Sequence, residues 1–307
     1  LNVYIGGTTA IFANPDSSYL FANIGSASKC TATEVIKGLD LVTTKRVTNM
    51  NHMFYNTGSN AMTKLNLGTN FNTESVTNMG AMFYKCGYTK LTDFTLGDKF
   101  NTSNVTNMTN MFQQFGFMQV LDLGDKFDTS KTTNMTSMFA ATGEYALKTL
   151  KLGDKFDTSN VTTMDYMFNQ LGTGQLTTLD LGDKFSTEKV VKMDWMFKDC
   201  GLYALETLDL GPKFTKIASS NSMMFDSIGK STGTVINAPE AIYQDSTNFR
   251  LGGEGSTAIA YSRGTINPKY RTEWAIETTK VDKDNKKVEI TLRGKINSQI
   301  TASEYPA

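Results

Sequence analysis

Hydrophobic positions recur along the chain at a fixed spacing, which indicates an internal repeat. Seven phenylalanines that end a Met-x-x-Met-Phe segment or a partial copy of it are spaced 29, 29, 27, 29, 29 and 28 residues apart: Phe54, Phe83, Phe112, Phe139, Phe168, Phe197 and Phe225. A glycine follows each of them after four residues, and Leu20-Phe21 with Gly25 is a degenerate copy near the start. Eight such units predict a solenoid, in which each unit covers the apolar face of its neighbour.

Each unit contains a short segment that alternates as a strand does. In one unit Leu179 and Leu181 alternate with Thr178 and Asp180, and Phe185 follows in the next turn. Alternation with a period of two predicts a strand whose leucines point inward and whose polar residues point outward.

The Met-Phe segment of each unit has a spacing that fits a helix. In one unit the apolar positions are Val161, Met164, Met167, Phe168 and Leu171. These positions lie on one helical face, after the N-cap candidates Asp157-Thr158-Ser159 and before Gly172, where a left-handed C-cap is expected. The fold class predicted is therefore an α/β solenoid of about eight rungs. Each rung is a strand, a turn and a short helix, and the rungs stack right-handedly around a parallel sheet.

The pattern predicts three segments. Residues 1–234 form the solenoid with a degenerate N-terminal cap, and residues 235–272, which break the period, form a C-terminal cap or linker. Residues 273–307 begin with two strand-like runs, at 274–281 and 287–293, around a polar turn. This third segment is expected to be a β-hairpin.

Composition excludes several classes of protein. Lys+Arg and Asp+Glu are both 30, so the formal net charge is zero, which argues against a nucleic-acid binder. No apolar run approaches the length of about 20 residues that a membrane-spanning helix needs. Three cysteines in 307 residues do not make a disulfide framework. A single histidine leaves little for histidine-based catalysis, so the chain is not expected to be an enzyme or to hold a cofactor.

The cysteines and the histidine have structural interpretations. Cys86 and Cys200 occupy the same slot, three residues after the motif phenylalanine, and apolar residues fill it in other units. Both are therefore expected to be buried thiols, too far apart to pair. Cys30 is not expected to reach either of them. His52 is expected on the outer surface, and no metal site is expected around it.

Asp-Lys steps repeat at the same place in four units, at Asp98, Asp125, Asp154 and Asp183. These steps stack into an acidic column beside a basic one. Solvated turn chemistry is the first interpretation, because each aspartate has a lysine beside it. A calcium ladder, or paired carboxylates for glycoside hydrolysis, are the alternatives.

The outward strand positions are the best candidates for binding, since solenoids use their sheet surfaces for partners. Unlike the leucine columns, they vary from unit to unit: Lys64, Asn66, Asp93, Thr95, Asp122, Thr149, Lys151, Thr178, Asp180, Thr207 and Asp209. Tyr88, Phe117, Tyr145 and Tyr203 in the return loops are the aromatic residues expected to be exposed.

The segment Phe100-Asn-Thr-Ser-Asn-Val-Thr-Asn-Met-Thr-Asn-Met-Phe112 resembles the repeat of BspA-like bacterial surface proteins. The resemblance covers roughly residues 19–236 and implies a leucine-rich-repeat-like solenoid. The tail from Trp274 is similar to the opening of a bacterial immunoglobulin-like module. Together these resemblances imply a cell-surface or secreted bacterial protein that binds a host, matrix or bacterial surface protein or glycan. An extracellular glycan-active enzyme and a purely architectural stalk are the alternative functions.

Overall fold

The computed structural model describes residues 3–4, 11–229, 234–239, 242, 259–261, 273–282 and 287–295. The chain divides into two compact units, Leu1–Ser262 and Arg263–Ala307. The first unit contains the repeats as a parallel β-solenoid of about eight turns. We number its rungs 1 to 8 by their motif phenylalanines: Phe21, Phe54, Phe83, Phe112, Phe139, Phe168, Phe197 and Phe225.

The strands of the solenoid are short and pair in parallel. They are β1 (Val3–Tyr4), β2 (Ile11–Phe12), β3 (Ile36–Lys37), β4 (Val42–Thr43), β5 (Lys64–Asn66), β6 (Asp93–Thr95), β7 (Val120–Asp122), β8 (Thr149–Lys151), β9 (Thr178–Asp180), β10 (Thr207–Asp209), β11 (Val235–Asn237) and β12 (Ile259–Tyr261). The pairs are β1–β3, β2–β4, β5–β6 and β7–β8, while β9 to β12 form a four-stranded sheet in chain order. The register places equal positions of successive units side by side, for example Leu179 beside Leu208. The predicted parallel stacking is confirmed.

The second unit contains an antiparallel hairpin of β13 (Glu273–Asp282) and β14 (Lys287–Lys295), with an irregularity in register between Ile276 and Thr278. Both strand-like runs expected in the tail are strands. The polar turn predicted between them lies outside the described residues, and the domain boundaries at residues 234 and 272 stay predictions.

The short helix predicted in every unit is wrong. Within residues 11–229, helical structure is limited to one short 3-10 helix at Leu39–Leu41. The Met-Phe segments are instead runs of turns, so the molecule is a β-solenoid and not an α/β one. Each of these segments places two non-glycine residues in the left-handed region, four positions apart: Tyr19 and Asn23, His52 and Asn56, Ala81 and Lys85, Asn110 and Gln114, Ser137 and Ala141, Tyr166 and Gln170, Trp195 and Asp199, and Met223 and Ser227.

Hydrogen bonds explain how these turn segments hold their shape. In rung 3 the N–H groups of Ala81, Phe83 and Lys85 donate to carbonyl oxygens of rung 4 at 2.7, 2.9 and 2.8 Å. The N–H groups between them donate to carbonyl oxygens three residues earlier, at 3.1–3.2 Å, and close a turn each time. Every N–H group of this stretch therefore has a partner, as a buried backbone requires. These bonds offset the cost of the left-handed residues, about 1–2 kcal/mol each.

The turn segment buries residues in pairs, which is why its sequence resembles a helix. In rung 7 Asp194-Trp195 point outward, Met196-Phe197 inward, Lys198-Asp199 outward and Cys200 inward, as their burial indicates. Two residues in and two out is a period of four. A helix has a period of 3.6 and an apolar face at least ~100° wide, so over one short segment the two patterns coincide.

Two ladders of phenylalanine rings fill the core. The motif phenylalanines of rungs 1 to 8 stack on one another with ring centroids 5.3–5.7 Å apart and rings within 19° of parallel. A second ladder runs beside them through Phe71, Phe100, Phe127, Phe156, Phe185 and Phe214, at 6.1–6.5 Å. All of these rings are buried, so they contribute both buried apolar area and the preference of aromatic rings for one another.

A column of buried threonines joins the rungs on another side. The Thr73 hydroxyl donates to the carbonyl oxygen of Asn101 and accepts from the N–H of the same residue, both at 2.7 Å. Five further threonines occupy this slot and are buried: Thr44, Thr102, Thr129, Thr158 and Thr187. A buried hydroxyl thus satisfies backbone groups that the strands do not reach.

Removing one ring of the first ladder should destabilise the protein strongly. Phe139 is fully buried, and its ring centroid lies 5.7 Å from both Phe112 and Phe168. We expect Phe139→Ala to lower the free energy of unfolding by about 3–5 kcal/mol in urea titrations followed by circular dichroism. Phe117→Ala, at an exposed ring, is the control and should cost less than about 1 kcal/mol. Equal losses in the two variants would contradict the ring-ladder core.

The buried threonine column makes a second prediction. Thr73→Val leaves both backbone groups of Asn101 without the hydroxyl, so we expect a loss of about 1–3 kcal/mol in unfolding free energy. Thr77→Val is the matched control, because the Thr77 hydroxyl is exposed, makes one longer bond of 3.3 Å to the Thr48 carbonyl oxygen, and is replaced by valine in rung 7, at Val191. The control should lose less than about 0.5 kcal/mol. A Thr73→Val protein as stable as the control would show that the hydroxyl bridge contributes nothing.

Candidate binding face of the parallel sheet

The strands β5 to β10 place all eleven candidate residues on one outward face. The first residue of each strand forms one column, and the third forms another, while the middle residue points inward. The first column is Lys64, Asp93, Val120, Thr149, Thr178 and Thr207, and the second is Asn66, Thr95, Asp122, Lys151, Asp180 and Asp209. Thr207 and Asp209 are half-buried and the others are exposed. Their role in binding stays a prediction.

Ion pairs link neighbouring strands of this face. Lys64 Nζ lies 3.1 Å from Asp93 Oδ2, and Lys151 Nζ lies 3.1 Å from Asp122 Oδ2. All four side chains are at least half exposed, so each pair contributes no more than about 1 kcal/mol. The face therefore carries charges of both signs, and breaking these ion pairs to form contacts with a partner would cost little free energy.

The second column has a structural task that sequence reasoning missed. Oδ1 of Asn66, Asp122 and Asp180 accepts the N–H of the glycine two residues later at 2.9, 3.0 and 2.8 Å, and Asp209 does the same at 2.9 Å. Such a bond is an Asx turn, which closes the strand onto the following glycine. The signal was present as Asn or Asp two residues before Gly in four of the six units.

Two aspartates of the second column have opposite electrostatics. The hydrogen bond from Lys151 holds the pKa of Asp122 below its usual value, with further help from the Gly124 N–H. Burial raises the pKa of Asp209, and the neighbouring carboxylates of Asp180 and Asp183 raise it further. The aspartate of β7 is thus paired with a lysine of β8, whereas the aspartates of β9 and β10 repel one another.

The Asp-Lys steps lie at the exposed turns that follow β6, β7, β8 and β9. Lys126 Nζ donates to the carbonyl oxygen of Asp98 in the preceding rung, so one lysine of this column joins two rungs. Within the described part of the chain, no three His, Cys, Asp or Glu side chains converge in a way that could hold a metal ion. The aspartates of the steps are stacked one per rung along the surface.

The cysteines are free thiols, and two of them lie in the core as expected. Cys86 and Cys200 are fully buried, and burial raises the pKa of both thiols. Cys30 is half-buried and also free. His52, which was expected on the outer surface, is half-buried. Its ring stacks on Tyr19 with centroids 4.6 Å apart, and burial lowers its pKa.

The return loops carry aromatic residues beside the sheet. Phe117, Tyr145 and Tyr203 are exposed, as the sequence predicts. Tyr88 is half-buried, and its hydroxyl donates to Glu144 Oε2 at 2.6 Å across the loop of rung 4. That loop is two residues shorter than its neighbours, because Gly116 lies four residues before β7 while Gly87 lies six before β6. The missing residues of the 27-residue unit are therefore in one return loop.

Comparison with known proteins gives one match. A family model described as "Mycoplasma protein of unknown function, DUF285" matches residues 22–148 and, a second time, residues 118–234. The two matches overlap and together cover more than half of the chain. No curated protein and no solved structure was found to match. In the part of the chain that the structure describes, no helix has the length and apolar character needed to cross a membrane.

The two aspartates should respond oppositely to neutralisation. We expect Asp209→Asn to raise the free energy of unfolding at pH 7 and Asp122→Asn to lower it, each by a few tenths to about 1 kcal/mol. Asparagine keeps the Oδ1 acceptor for the glycine N–H, so the Asx turn is preserved in both variants.

Both effects on stability should vanish at low pH. The raised pKa of Asp209 destabilises the native protein only where the carboxylate is charged, so the gain in Asp209→Asn should vanish below an ordinary Asp pKa of about 3.9. The lowered pKa of Asp122 stabilises above that pH, so the loss in Asp122→Asn should vanish as the pH falls through the lower native value. Shifts of the same sign at pH 7 would contradict this electrostatic picture.

Proposed function

We propose that this chain, which belongs to that family of Mycoplasma proteins of unknown function, is a non-catalytic scaffold that binds a partner through its parallel sheet. One observation carries the proposal. The first column of the sheet is outward on six successive strands; it changes at every step from Lys64 through Asp93 and Val120 to Thr149, and threonine then repeats at Thr178 and Thr207. Among the described residues its side chains make no hydrogen bond to the backbone, and its ion pairing is limited to Lys64 with Asp93. The fold does not require these side chains, so they are free to recognise a partner.

Rigidity supports the same role. The inward slots of rungs 2 to 7 repeat with little variation and are buried almost completely, and hydrogen bonds connect each rung to the next. A partner that docks on such a surface loses little free energy to ordering it, because the surface is already ordered. Solenoids typically bind partners on their extended faces for this reason.

The resemblance seen in the sequence supplies the setting. If the repeat belongs with BspA-like surface proteins, then the chain is a leucine-rich-repeat-like adhesin at the bacterial surface or in the medium. Its partner would be a host, matrix or bacterial surface protein or glycan. The hairpin β13–β14 would then begin an immunoglobulin-like module that extends or tethers the solenoid. This setting rests on the resemblance, whereas the binding face rests on the geometry of the sheet.

A glycan-active enzyme remains the second candidate because of one pair of residues. Asp180 and Asp209 lie side by side on β9 and β10, and burial raises the pKa of Asp209. Glycosidases use two carboxylates with separated pKa values. However, both carboxylates already accept a glycine N–H, and Asp180 is exposed. Binding without catalysis is therefore the stronger proposal.

The direct test is a glycan and extracellular-matrix protein array probed with the full chain. The first variant changes Lys64, Asp93, Thr149 and Thr178 to Ala, which alters the first column and leaves every Asx turn in place. The matched control changes Asp154, Lys155, Asp183 and Lys184 to Ala, four exposed residues at the turn tips. We expect the parent and the control to bind the same array components, and the first-column variant to lose at least about tenfold in affinity for them.

Three results would contradict the proposal. They are binding by the first-column variant at parental affinity, an equal loss in the control, and no binding by any form, which favours an architectural stalk. Hydrolysis of a bound glycan that Asp209→Asn abolishes would favour the enzyme instead. Circular dichroism of each variant establishes that a loss of binding is not a loss of fold.

A further inference from the structure

A second exposed surface departs from the repeat in a way that the fold does not explain. It is formed by the outward residues of the turn segments in rungs 6, 7 and 8. It includes no residue of the sheet face. We call it the turn-face patch and define it by Val191, Trp195, Tyr166, Met223 and the carboxylates of Asp165, Asp194, Asp199 and Asp226.

The large side chains of the patch stand where rungs 3 to 5 have small or polar residues. The first left-handed slot holds Ala81, Asn110 and Ser137 in rungs 3 to 5, but Tyr166, Trp195 and Met223 in rungs 6 to 8, while Tyr19 and His52 fill it in rungs 1 and 2. Tyr166 is 39% exposed and Met223 is 54% exposed. A left-handed backbone favours glycine or asparagine, and an exposed aromatic ring gains little burial. The fold does not require large side chains in this slot, since rungs 3 to 5 fill it with Ala, Asn and Ser.

Val191 is an independent departure in the same place. Its slot holds threonine in the five preceding rungs, and each of those hydroxyls donates to a backbone oxygen one rung earlier, at 3.2–3.3 Å: Thr48, Thr77, Thr106, Thr133 and Thr162. Valine cannot make this bond, and its side chain is 49% exposed. Three adjoining rungs thus exchange structural or neutral residues for exposed apolar ones, the composition of a binding surface.

The charges around the patch indicate what it binds. The outward turn residues of rungs 6 to 8 include four carboxylates against two ammonium groups, Lys192 and Lys198, a net of two negative charges. In the corresponding slots of rungs 1 to 5 the charged residues are Asp16, in the slot of Lys192, and Lys85, so those rungs carry no net charge there. Burial raises the pKa of Asp165 and the carboxylate of Asp194 raises it further, whereas the hydrogen bond from the Asp194 N–H and the charge of Lys192 lower it.

One half of the patch already holds a cation. Lys198 Nζ lies 5.3 Å from the centroid of the Trp195 ring, 2.8 Å from Asp226 and 3.5 Å from Asp199. On the Asp165 side, the Tyr166 and Trp195 rings lie 5.6 Å apart and each follows an aspartate in the chain. Aromatic rings next to carboxylates form the surroundings that arginine and lysine prefer, through cation–π contact and charged hydrogen bonds.

We propose that the turn-face patch docks a basic segment of a partner protein. Its arginine or lysine side chains pack on the Tyr166–Trp195 rings and pair with Asp165 and Asp194. Its apolar side chains cover Val191 and Met223. Because the patch shares no residue with the sheet face, the two surfaces can bind different partners.

Trp195 itself provides the readout. The chain has two tryptophans, so Trp274→Phe leaves Trp195 as the sole tryptophan. The full chain with this change is titrated with a capped hexapeptide of alternating arginine and leucine, and in parallel with one of alternating glutamate and leucine. We expect a saturable change in Trp195 emission with the first peptide and none with the second. The affinity should fall as salt is added.

Variants locate the interaction. Asp165→Asn should weaken binding of the arginine peptide about tenfold, and Val191→Thr, which restores the repeat residue, should weaken it several-fold. Asp154→Asn, at an exposed turn, is the matched control and should bind as the parent does. No saturable change with the arginine peptide, an equal response to the glutamate peptide, or an equal loss in the control would overturn the proposal. So would self-association of the chain that Val191→Thr abolishes, since the patch would then serve a second copy.

Discussion

The hydrogen bonds that join equal positions of neighbouring rungs are the interaction on which the rest of this structure depends. They run through the strands and again through the turn segments, where every second N–H reaches the next rung. Because they set the register, each motif phenylalanine lies on the previous one at 5.3–5.7 Å. A slip of one residue would exchange inward side chains for outward ones along each strand. The register and the core therefore stabilise each other.

This arrangement divides the side chains into those that build the stack and those that do not. Met, Phe, Leu and Thr in the inward slots are buried and repeat from rung to rung. Outward slots vary, but not all of them are free, since Asn66 and Asp122 close turns and Thr77 bonds to its neighbouring rung. The first column of the sheet carries the fewest structural tasks, whereas in the turn-face patch Asp165 and Asp194 also accept backbone N–H groups of the next rung. The first column is therefore the face on which we propose that a partner binds.

The sequence was sufficient for the stacking and the sheet but not for the turn segments. The spacing of Phe54, Phe83 and Phe112, with the alternation around Leu179, predicts parallel rungs and outward polar columns. The two-in, two-out order of Met196-Phe197 and its neighbours is indistinguishable from a helical face over so few residues. No local sequence pattern predicts a left-handed alanine or tryptophan. Its conformational strain is offset by hydrogen bonds to the next rung, which the local sequence does not show. The Asx turns and the replacement of threonine by Val191 could be seen in the sequence, but only when the residues at equal outward positions of different units are compared.

The most direct test of the turn segments compares two adjacent alanines. Ala140 and Ala141 are both buried in rung 5, but only Ala141 is left-handed, with φ of 53°. Glycine relieves left-handed strain at residue 141 and only loosens the chain at residue 140. In urea unfolding we expect Ala141→Gly to be more stable than Ala140→Gly by about 1–2 kcal/mol. Equal losses of about 1 kcal/mol in both variants, as in a helix, would contradict the stack of turns.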